Sequence, residues 1–317
     1  MNTQMLILII SFVATTILGL IIVPKLKKLK IEQVERLDGP KSHLSKGGTP
    51  VMGGIIMIIV VTAILAIKAI TYHILLLPII AILGFGIIGF IDDYKKLVKK
   101  DTKGLSPILK MAGLFIISTI FIIFYLKVFN LGTDIIVPFL DQPIALSIGA
   151  FVVFTYFILL GTSNAVNLTD GLDGLASGVT AIIMTFFTAV SLKNGNAEMA
   201  IVGVATVGTC LGFLLFNYKP AKVFMGDTGS LALGGAIASI AIILKMPLYL
   251  AIVAIVCVVD TLSSALQVIY FKLTKGKRIF KMAPFHHHLE LCGIKEITVV
   301  WIFWSVTAIA CLIAYFI

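Results

Sequence analysis

Stretches of roughly 20 apolar residues, the length that crosses the hydrocarbon of a bilayer, recur from one end of this chain to the other. They fall at about 3–23, 51–70, 74–91, 108–127, 145–162, 174–192, 198–216, 229–244, 248–270 and 297–317. Only 13% of the 317 residues are charged and 59% are hydrophobic, against about 25% charged in a soluble domain. Too little polar surface remains to cover a globule in water. The expected fold is an all-α polytopic integral membrane protein of about ten transmembrane helices, one membrane-embedded domain over 1–317.

The connections sort the two sides. Segments 24–50, 92–110, 163–173, 217–228 and 271–296 carry 21 of the 25 Lys and Arg. By the positive-inside rule this set is cytoplasmic and both termini lie outside. Within 128–144, Gly132, Pro138 and Pro143 suggest a small external hairpin. The net charge of +10 therefore reads as orientation and contact with anionic membrane lipids, not as a nucleic-acid surface. Residues 6–23 have no basic segment before them, and the cluster Lys25, Lys27, Lys28 and Lys30 follows. That order marks a retained first helix, not a cleaved leader. The four cysteines form no CxxC pair, so neither a disulfide framework nor a structural zinc site is expected.

The polar motifs crowd the cytoplasmic set. His43 to Gly54 places Lys46 among glycines at a helix entry, which suits a phosphate, or else marks tight helix packing. Asp92 and Asp93 sit directly below a span. Desolvated carboxylates there imply a cation or a proton transfer, unless Lys95 and Lys96 merely neutralise them. Lys103 and Lys110 follow. The stretch Asn164, Asn167, Asp170, Gly171, Leu172, Asp173, Gly174 contains no base to balance its acids, and its amides can read a sugar or a nucleobase. Between Asn217 and Ser230, with Phe224 before it, Asp227 opens a span, either as a metal ligand or as a helix cap. His286, His287 and His288 are consecutive, so on a helix they cannot all face one ion. Asp260 and Gln267, seven apart, share one face of the ninth span. P-loop, dinucleotide-binding and nucleophile-elbow signatures are absent from the sequence. Hard oxygen ligands, lysines and amides on one membrane face fit phosphoryl transfer to a lipid. An ion-coupled transporter, suggested by Asp260, would need polar residues across the whole membrane.

These motifs resemble the polyprenyl-phosphate N-acetylhexosamine-1-phosphate transferase superfamily, which shares Asp92-Asp93, the Asn-rich stretch 164–176 and Gly226-Asp227. Lys46 to Gly54 and Met282 to Glu290, with His286 to His288, are similar to its phospho-N-acetylmuramoyl-pentapeptide transferase branch. The resemblance spans the chain. It implies transfer of phospho-MurNAc-pentapeptide from UDP-MurNAc-pentapeptide to undecaprenyl phosphate in the bacterial plasma membrane, giving lipid I and UMP, with Mg²⁺ as cofactor. It further implies catalytic roles for Asp92, Asp93, Asp227 and His286, with Asp227 holding the metal. Lys46, Lys96, Lys110, Asn164, Asn167, Asp170, Gly171, Leu172, Asp173, Asn217, Phe224, Gln267 and His287 would line the substrate site, with Gly171, Leu172, Asp173 and Phe224 near the uracil. It is compatible with a homodimer and involves no nucleic acid. Asp260 departs from an expected Glu and receives no role.

Overall fold

The computed structural model describes residues 3–29, 48–97, 104–140 and 142–317. Its helices are α1 (Thr3–Lys28), α2 (Gly54–Ala69), α3 (Leu76–Leu97), α4 (Pro107–Ile123), α5 (Ile148–Thr169), α6 (Leu175–Lys193), α7 (Ala197–Asn217), α8 (Gly226–Ile243), α9 (Leu250–Val253), α10 (Ile255–Leu273), α11 (Phe285–Leu291) and α12 (Glu296–Phe316). Among the described residues nine helices are long and apolar enough to cross a membrane, and α2 is a shorter apolar helix. The chain is thus an all-α polytopic membrane protein. The segment between α4 and α5 does form a hairpin, in which β1 (Asp134–Ile135) pairs antiparallel with β2 (Ile144–Ala145).

Burial separates an inner layer from an outer one. Most positions of α6, α7 and α8 are covered, while α1, α4 and α10 turn most of their side chains outward. The outward residues include Leu20, Ile108, Val153, Phe157 and Leu312, each more than half exposed. Side chains of this kind need an apolar solvent, which lipid supplies. α8 occupies the centre against α3 and α5, and its small residues permit close approach. A Cβ at Gly89 of α3 would lie 2.2 Å from the Asp227 carbonyl oxygen of α8. That glycine lets the two backbones touch where both carry carboxylates.

Helix ends differ from the expected spans in a way that matters for chemistry. α3 runs on to Leu97 and α5 to Thr169, so residues expected in loops are helical. Asp92 and Lys96 become neighbours one turn apart, as do Asn164 and Asn167. The ninth span is broken at Ala254, whose φ of −104° and ψ of 27° leave the helical region. α9 and α10 are therefore separate pieces.

Candidate active site

Side chains from four helices meet at one end of the bundle. Asp92 lies near the end of α3 and Asp227 in the first turn of α8. Lys96 Nζ lies 2.6 Å from Asp92 Oδ2 and 3.2 Å from Asp227 Oδ2. Lys110 of α4 bridges the same oxygens at 3.7 and 2.8 Å. Asn167 of α5 donates from Nδ2 to Asp227 Oδ1 and to Ser230 Oγ, both at 2.8 Å. Two carboxylates and two ammoniums thus balance locally, which offsets the cost of bringing them out of water. The remaining oxygen of Asp92, Oδ1, accepts the Leu105 amide at 2.7 Å. The Asp92 side chain is only 3% exposed and that of Asp227 is 20%. Asp227 is the more open of the two carboxylates.

Asp93 is turned to a different task. Its Oδ1 accepts the Asp227 amide at 3.2 Å, and its Oδ2 accepts the Thr228 amide at 2.9 Å and the Thr228 hydroxyl at 2.6 Å. These are donors of the first turn of α8, so Asp93 caps that helix from across the α3–α8 contact. The cap fixes the backbone that carries Asp227.

After the two asparagines at the end of α5, residues 170–174 form a turn to α6 that other residues brace. The amide of Asp173 donates to Glu296 Oε1 at 3.0 Å, and Asp173 Oδ2 accepts the Ala221 amide at 3.1 Å. Lys219 pairs with Glu296 Oε2. Asn217 Oδ1 accepts the Gly174 amide and the Ser177 hydroxyl, both at 3.2 Å, and its Nδ2 donates to the Val223 carbonyl at 3.0 Å. Asp173 and Asn217, expected at the substrate, hold the 170–174 turn against the 218–223 segment. Phe224 continues that segment, exchanging backbone hydrogen bonds with Pro50 and Gly53. Leu172 is buried, and Asp170 closes α5.

The third group hangs from α10. Gln267 Oε1 accepts the amides of Ile279 and Phe280, both at 3.0 Å, and its Nε2 donates to the Phe280 carbonyl. Asp260, one face-repeat earlier, meets His286. The histidines diverge on α11 as expected. His286 is fully buried, His287 pairs through Nδ1 with Glu290 at 3.0 Å, and His288 Nδ1 accepts the Lys281 amide. Gly171 touches this group, since a Cβ there would sit 2.3 Å from His286 Nε2 and 3.2 Å from His287 Nε2.

The structure thus brings together Asp92, Asp93, Lys96, Lys110, Asn167 and Asp227, and it sets Gly171 against His286 and His287. Asn164 stands apart, its amide donated to the Leu160 carbonyl of its own helix. Lys46, with His43 and Lys103, lies outside the described residues. Glu296 escaped the sequence reading, while Lys219, Thr228 and Ser230 lay inside the 217–230 motif without a role at the site. Isolated hydroxyls and a lone Lys or Glu carry no pattern until the helices pack.

No group of three or more His, Cys, Asp or Glu converges into an all-protein metal cage among the described residues. The rim formed by Asp92 and Asp227 offers hard carboxylate oxygens instead. Such a pair fits Mg²⁺, which takes one or two carboxylates and completes its shell with water and substrate phosphates.

Residues 74–245, from the start of α3 past the end of α8, match the model of glycosyl transferase family 4. The phospho-N-acetylmuramoyl-pentapeptide-transferase of Acetivibrio thermocellus is 49% identical over 97% of this chain and 93% of its own length. Enzymes of the same name from Clostridium botulinum (strain Eklund 17B) and Caldicellulosiruptor bescii are 48% and 47% identical, again over 97% of this chain and 94% and 95% of theirs. With likeness of this degree running through every helix that carries the site, the chain belongs to the phospho-N-acetylmuramoyl-pentapeptide transferases of glycosyl transferase family 4.

Proposed function

We propose that this protein transfers phospho-MurNAc-pentapeptide from UDP-MurNAc-pentapeptide to undecaprenyl phosphate at the cytoplasmic face of the bacterial plasma membrane, in a Mg²⁺-dependent reaction. A lipid phosphate oxygen attacks the β-phosphorus of the donor. The bond from that phosphorus to the UMP oxygen breaks, and lipid I and UMP leave. The observation that carries this reading is the sharing of Lys96 and Lys110 between Asp92 and Asp227, in a chain of this family.

Each part follows from charge. Both substrates are anions, and their approach is opposed unless cations screen it. Lys96 and Lys110 turn from the carboxylates to the phosphates when substrate enters. Asp227, the more open carboxylate, is the residue that would hold Mg²⁺ with the donor diphosphate, and Asp92 would face the same ion. Bound there, the ion supplies charge neutralisation on the diphosphate and the departing UMP oxygen. Asp92, freed from Lys96, orients the lipid phosphate or takes its proton. Asn167 fixes the Asp227 rotamer by holding Oδ1. The 170–174 turn, braced by Asn217 and Glu296, carries the nucleotide-sugar contacts together with Phe224.

The test incubates purified protein and undecaprenyl phosphate with UDP-MurNAc-pentapeptide or UDP-N-acetylglucosamine, with and without Mg²⁺, scoring UMP and lipid-linked sugar. Product from the first donor alone, and only with the metal, is expected. Product from the second donor alone would overturn the donor assignment, and full turnover in chelator would remove the metal.

A further inference from the structure

Asp260 is a carboxylate with no exposed surface, set in the second turn of α10. Burying such a group is costly unless its oxygens are satisfied. Both are spent on one residue. Oδ1 accepts the His286 amide at 3.2 Å, and Oδ2 lies 2.9 Å from His286 Nδ1. The two contacts fix the backbone and the ring of His286 together. They also set the tautomer, because only an Nδ1–H can donate to the carboxylate.

The other ring nitrogen is the anomaly. His286 Nε2 is buried and has no hydrogen-bond partner within the protein. The ring is wedged between His287, at 4.2 Å between centroids, and Phe303, at 6.4 Å. Nε2 points at Gly171, where a Cβ would stand 2.3 Å away. An unpaired polar atom at such depth is a standing penalty that a ligand relieves. The turn it faces carries the nucleotide-sugar contacts in the reaction proposed above, on which this inference rests. We propose that Asp260 is the positioning residue for His286, holding the imidazole so that Nε2 faces the 170–174 turn at Gly171 as a hydrogen-bonding atom for the nucleotide-sugar donor. Any side chain at Gly171 would collide with the His286 ring.

The experiment measures kcat and both KM values for the wild type, Asp260→Asn, His286→Gln and the double variant, with thermal melting in detergent to confirm folding. Replacing a residue that orients another through a hydrogen bond costs about 10–100-fold, and Asp260→Asn is expected to lose that much kcat. Its KM for undecaprenyl phosphate stays within about twofold of wild type, since Asp260 acts only on the donor side. The double variant is expected to match His286→Gln, because one unit has been broken twice. Wild-type kcat in Asp260→Asn, or losses that multiply in the double variant, would overturn the assignment. A wild-type protein that releases no UMP overturns the proposed reaction instead. Should Asp260→Asn not fold, Gly171→Ala decides, since it keeps both Asp260 and His286 while its Cβ crowds Nε2. A loss of about tenfold or more in kcat supports the proposal, and wild-type kcat overturns it.

Discussion

At the scale of single residues, two adjacent aspartates divide the labour according to which way the helix turns them. Asp92 faces Lys96 and Lys110, while Asp93 faces the first turn of α8. Their substitutions should therefore fail differently. Asp93→Ala leaves two amides and a buried hydroxyl without an acceptor, which costs about 1–3 kcal/mol of stability. Its melting temperature in detergent should fall, and an unchanged melt would mean the cap is dispensable. Asp227→Asn keeps the shape and a bond to Asn167 but removes the charge. It should lower UMP release by roughly 10²–10³-fold, the scale of a lost electrostatic contact in a water-poor site, with melting nearly intact. Normal turnover in that variant would take Asp227 out of the chemistry.

At the scale of elements, the turn between α5 and α6 depends on Asn217 at the end of α7, which ties down Gly174, Ser177 and Val223. Asn217→Ala is expected to raise the donor KM by roughly 2–10-fold, the worth of a hydrogen bond or so, and to leave KM for undecaprenyl phosphate in place. An equal rise for both substrates would show that the brace serves more than the donor. This interplay was half legible in the sequence. The apolar runs gave the helices, the seven-residue spacing placed Asp260 and Gln267 on one face, and the consecutive histidines were bound to diverge. Helix ends were not legible, because polar residues at a span's edge read as loop when they are in fact its last turn. That is how the cap by Asp93 stayed hidden, whereas Lys96 was legible only as a charge neutralising the aspartate pair. Glu296 was invisible for a further reason, since its partners Asp173 and Lys219 are remote in sequence.

Across the whole molecule, the two ends differ in charge and in what charge does. At the end opposite the site, Lys245 Nζ lies 2.5 Å from Asp134 Oδ2, and this hydrogen bond holds the Asp134 carboxyl below its usual range. A carboxyl lowered by folding stabilises the fold above its unfolded value, about 3.9, and the gain is lost as pH falls through the folded value. The pair is partly exposed, so Asp134→Asn should cost at most about 1 kcal/mol at pH 7. The melting difference should start to shrink as pH falls below ~4 and vanish below the folded value, and one that did not shrink with falling pH would owe nothing to the charge. The site end carries most of the basic residues, and Cys292 just beyond α11 is its exposed thiol, while Cys210, Cys257 and Cys311 are buried. If the site faces the cytoplasm, as the proposed reaction requires, a membrane-impermeant maleimide should modify the protein in inverted vesicles and spare it in right-side-out spheroplasts, with Cys292→Ser blank in both. The logic is electrostatic before it is biological. A nucleotide sugar carrying a diphosphate does not cross the hydrocarbon, so the carboxylate–lysine cluster must open where that donor is made. Labelling of Cys292 from the outside would put the cluster on the face with no donor and would sink the proposed reaction and its orientation together.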